Sequence, residues 1–130
     1  MTSHRILELN ALSTAACAVA MIVARGILYP LFGLDTPALL DVIAVGFLAY
    51  AGALAFAARR HPVTRQALLA FTVADVLWVV ASAIVLVIFW GQLAPLARAL
   101  VIAVALVVEV FASLQLRAAG RSPGAAPQVA

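Results

Sequence analysis

Two carboxylates, Asp75 and Glu109, lie inside long apolar stretches of this 130-residue chain. An ionised carboxylate in hydrocarbon costs about 2.5–3.5 kcal/mol on insertion scales, so each must be paired, hydrated or protonated. Counting about 1.5 Å per helical residue, Asp75 falls roughly 12 Å and Glu109 roughly 10 Å from one membrane face. That depth is level with Asn10, Ser13 and Thr14. Two carboxyls that meet there would share a proton, the chemistry of a proton-coupled transport site. The same groups can also act as interhelical hydrogen-bonding glue.

A second polar group comprises Arg25, Asp41 and Arg98, all near the opposite face. Thr14 and Arg25 are eleven residues apart, as are Arg98 and Glu109, and at about 100° per residue that spacing returns to within about twenty degrees of one helix face. An ion pair between Asp41 and Arg25 or Arg98 is expected. Trp78 falls near the middle of its apolar run, too deep to anchor at an interface. It is expected to pack between helices or, with Ser82, to line a cavity. His4 and His61 sit at the ends of apolar runs, not deep between helices as haem ligands do, and Cys17 is the single cysteine. No cofactor and no metal site is implied. Hydrolase, kinase and thiol-redox motifs are absent, so no catalytic residue is assigned.

The elements that must position these groups follow from composition. The chain is 67% hydrophobic and 10% charged, with a mean hydropathy of +1.19. A soluble surface needs about a quarter of its residues charged, so the solvent here is lipid. Four runs are long enough to cross a bilayer. They are placed at about 6–29, 37–58, 67–90 and 95–116, and short connections make an all-α, antiparallel four-helix bundle. Asp35-Thr36-Pro37 reads as an N-cap followed by a first-turn proline. Residues 1–119 form one transmembrane domain. Residues 120–130, with almost nothing large to bury, are expected to be a flexible tail.

All eight basic residues are arginine. Arg5, Arg59, Arg60, Arg65, Arg117 and Arg121 fall on one side, which places both termini in the cytoplasm of a bacterial inner membrane. Tyr29, Phe32, Phe89 and Trp90 form an aromatic group at the other side. The arginines terminate apolar runs and form no soluble basic face, so nucleic acid is excluded as a partner.

The runs Gly46–Gly52, Asp75–Ser82 and Val110–Gln115, with the Arg59-Arg60 pair, resemble small bacterial four-helix membrane proteins similar to the DoxX-like group. That resemblance implies a fold, and no activity or site residue. Two functions are expected from these readings. The first is a non-enzymatic subunit or scaffold of a membrane assembly, a homo-oligomer or larger complex. The alternative is a small dimeric proton-coupled transporter or channel that uses the carboxylate pair on a small-molecule substrate. A cavity reaching the carboxylates would favour transport, and a fully packed bundle the scaffold.

Overall fold

A computed structural model describes residues 2–60 and 62–121, and among them every regular element is helical. The elements are α1 (Ser3–Val23), α2 (Arg25–Leu31), α3 (Ala38–Ala58), α4 (Arg65–Phe89) and α5 (Pro95–Arg121). All but α2 are long and apolar enough to cross a membrane, as in a multi-pass membrane protein. His61 and residues 122–130, most of the expected flexible tail, lie outside the described residues.

Local chemistry sets several helix ends. Thr2 Oγ1 accepts from the Arg5 amide at 3.2 Å and Thr64 Oγ1 from the Ala67 amide at 3.1 Å. Each satisfies one of the amides that a helix start leaves without a partner. The start of α3 differs in detail from the sequence expectation, because Pro37 itself takes the cap position and it is Thr36 Oγ1 that accepts from the first helical amide, Ala38, at 3.4 Å. Asp35 is left exposed outside it.

The first apolar run is also divided. Ala24 leaves helical geometry at φ −95° and ψ 12°, and α2 restarts at Arg25 as a seven-residue helix. Gly26 and Pro30 both weaken the helix beyond the break, and Pro30 has no amide to donate to the Gly26 carbonyl. At the chain's other end, α5 runs on past Leu116 to Arg121. Burial explains the extension, since Ala118 and Ala119 are 2% and 1% exposed within the main apolar cluster.

That cluster joins Ile6, Leu7, Leu54, Ala58, Val63, Leu68, Ala118 and Ala119. It draws together the start of α1, the end of α3, the start of α4 and the end of α5. This closed end carries Arg59, Arg60 and Arg65. Helix α1 packs on α3, α4 packs on α5, and α1 also touches α5. Val87 and Val23 are 82% and 80% exposed while Asp75 and Gln115 are 3% and 0% exposed. Apolar side chains outward and polar ones inward is the arrangement that lipid, not water, stabilises.

Candidate functional site

Just beyond the closed end, four helices each contribute one polar side chain to a single cluster. Asn10 comes from α1, Tyr50 from α3, Asp75 from α4 and Gln115 from α5. Asp75 is the acceptor at its centre. Its Oδ1 receives the Tyr50 hydroxyl at 2.7 Å, and its Oδ2 receives Asn10 Nδ2 at 3.1 Å and Gln115 Nε2 at 3.0 Å. Asn10 Nδ2 also donates to Gln115 Oε1 at 2.8 Å, and Thr14 Oγ1 donates to Asn10 Oδ1 at 3.2 Å.

The Tyr50 hydroxyl carries one proton and has two acceptors in reach, Asp75 Oδ1 and the Phe71 carbonyl oxygen at 3.2 Å. Its oxygen can also accept. With Asp75 ionised, Tyr50 donates to the carboxylate. With a proton on Oδ1, that proton can go to the Tyr50 oxygen while Tyr50 donates to Phe71. The geometry therefore accommodates both forms of the carboxyl without leaving a buried polar group unsatisfied.

Asn10, Thr14, Tyr50 and Asp75 form the floor of a cavity of about 450 Å³, with Gln115 behind them. Ser13, Thr14 and Cys17 line it from α1, Ile43, Gly46 and Phe47 from α3, Ala74 and Trp78 from α4, and Ala103, Val107 and Phe111 from α5. Gly46, Ala74, Ala103 and Val107 are themselves exposed, so the cavity opens to the surroundings. Among its lining residues the titratable groups are Cys17, Tyr50 and Asp75, and none is a cation. Phe47 and Trp78 meet edge to face, ring centres 4.8 Å apart. The Trp78 indole N–H is buried without a hydrogen-bond partner.

The sequence candidates are distributed as follows. Asn10, Thr14 and Asp75 meet at the floor, and Trp78 is in the wall. Glu109 is exposed on α5 and is not among the hydrogen-bond partners of Asp75. The reason is helical phase: Gln115 is six residues further on, and at about 100° per residue the two point about 120° apart. The carboxylate pair is thus replaced by one carboxylate held by three neutral donors. Ser82 is buried, but it donates to the Trp78 carbonyl at 2.8 Å and does not line the cavity.

Near the opposite end, Arg25 Nη2 is 2.8 Å from Asp41 Oδ2. Arg98 takes a different role. Its Nη2 and Nε donate to the Trp90 carbonyl at 2.7 and 3.0 Å, and its guanidinium lies over the Trp90 ring, 4.3 Å from the centroid. It satisfies a carbonyl at the end of α4. At the closed end, His4 Nδ1 meets the Ala58 carbonyl at 2.6 Å.

Sequence reasoning passed over Tyr50 and Gln115. Tyr50 carries the one hydroxyl within α3 and is its one polar side chain beyond the first turn, which holds Asp41, and that was a usable signal. Gln115 was not weighed as a site residue, and it lies one residue from the expected helix end at Leu116.

No protein-family model matches the chain, and neither the curated proteins nor the solved structures gave a match.

Proposed function

We propose that this chain is a small proton-coupled carrier, with Asp75 as the group that alternately holds a proton and a substrate. One observation carries the reading: an acidic side chain, with no cation among its partners, forms the floor of an open cavity between four membrane-length helices. A scaffold needs no such space, and packed helices would fill it. Intramembrane carboxylates that lack an ion-pair partner mark ion and proton pathways. Tyr50 supports the same reading, because its hydroxyl can serve either form of Asp75.

The reading is completed by an antiparallel arrangement of the four spans in a bacterial inner membrane, with both termini and the arginine-rich end cytoplasmic. The cavity then opens on the outer half, and the closed end seals the inner half. The carrier requires a proton flux. Reconstituted into vesicles with a pH dye inside, the wild type is expected to dissipate an imposed pH gradient when substrate is added, and Asp75→Asn is not. An equal flux through Asp75→Asn would reject the proposal.

A second reading, membership of an assembly, is favoured by Glu109. Its carboxyl is exposed near the middle of α5, on a face that lipid would otherwise cover. In a two-fold pair with this part of α5 at the axis, Glu109 and its copy would be withdrawn from lipid into the interface. Ser113, exposed one turn further on, extends that polar face. A homodimer through α5 is compatible with the carrier.

A further inference from the structure

We infer that the cavity selects a monovalent, hydrophobic organic cation, specifically an arylalkyl amine in its ammonium form. The inference rests on the carrier reading for its proton exchange, but its binding chemistry is argued separately. An anionic ligand would meet Asp75 with no cation to offset the repulsion. A dication would leave one charge without a partner in an apolar chamber. A monocation balances the single charge.

The atoms support a donor ligand. Asp75 Oδ2 already accepts two hydrogen bonds, while Oδ1 accepts one, from Tyr50. A carboxylate oxygen has two acceptor directions, so Oδ1 retains one for an ammonium N–H. Phe47, Tyr50, Trp78 and Phe111 line the same chamber. Their ring faces attract a desolvated cation, and their apolar area suits an aromatic body. A volume of about 450 Å³ is in the range of pockets that enclose small organic ligands.

The exchange balances. The protonated carboxyl gives up its proton as the ammonium forms its hydrogen bond to Oδ1, so one proton leaves for each monocation that enters. No other co-reactant is needed. Tyr50 donates to Phe71 or to Asp75 as the carboxyl changes form.

Isothermal titration of the purified protein in mild detergent tests this with two probes of the same shape, 1-naphthylmethylamine and the neutral 1-naphthylmethanol. The amine is expected to bind about ten- to a hundredfold more tightly, the range for a hydrogen bond to a charged group. Asp75→Asn should remove that preference while retaining weak binding of the alcohol. The comparison on wild-type protein stands even if that variant does not fold. Equal affinity for both probes, or binding of neither, overturns the ligand class. A pH indicator in the same titration separates the two proposals: selective amine binding without proton release keeps the ligand class and rejects the carrier.

Discussion

Asp75 makes its hydrogen bonds to neutral donors on three different helices, so each donor can be removed without adding a charge. Gln115→Leu deletes a donor to Asp75 and the acceptor of Asn10 together. It should destabilise the protein by about 1–3 kcal/mol, the cost of leaving buried polar groups unpaired. Thermal unfolding in detergent reads the loss, with Val87→Ala on the exposed face of α4 expected to change stability by less than about 0.5 kcal/mol. A loss no larger than the control would show that the cluster does not hold the helices together. Depth counting from sequence was sufficient to bring Asn10, Thr14 and Asp75 to one level. It could not assign Glu109, because depth says nothing about azimuth. A phase error of one residue turns a side chain about 100°, from the cavity to the lipid.

Among the elements, the four long spans were legible because lipid imposes a length that composition displays directly. The division at Ala24 was not, since the apolar run resumes directly after Arg25 and Gly26 and a departure of one residue from helical φ and ψ leaves hydropathy unaltered. The turn after α2 depends on Gly33, whose φ is +70°. A Cβ there would come within 2.9 Å of the Gln92 carbonyl oxygen. Beside it the Ala94 amide donates to the Leu31 carbonyl at 2.8 Å, joining the end of α2 to the start of α5. Gly33→Ala should therefore cost at least about 1–2 kcal/mol from the left-handed backbone alone. Gly52, in mid-helix with open space at its Cβ position, gives the contrast. Gly52→Ala should be neutral or stabilising by about 0.5–1 kcal/mol. The paired melting temperatures check this, and equal effects of the two substitutions would contradict the account of the turn.

At the scale of the whole molecule, the proposed carrier depends on orientation, because the arginine-bearing end is packed while the cavity lies beyond it. Two single-cysteine variants in a Cys17→Ser background examine this. Gln92→Cys should react with an impermeant maleimide from the outer side of intact cells, and reaction from the cytoplasmic side alone would invert the topology. Ser113→Cys should form disulfide-linked dimers in membranes, whereas Val87→Cys on the exposed face of α4 should not. Absence of the Ser113→Cys dimer would remove the α5 interface. The cluster that spans α1, α3, α4 and α5 also has a temporal aspect. A chain made from its N-terminus delivers Asn10 and Tyr50 to the bilayer before Asp75 emerges, and Gln115 follows last. The costly carboxyl thus reaches hydrocarbon when two of its three donors are already available. Had the acid been encoded in α1, it would have had to wait in lipid, unpartnered, for the rest of the protein to be synthesised.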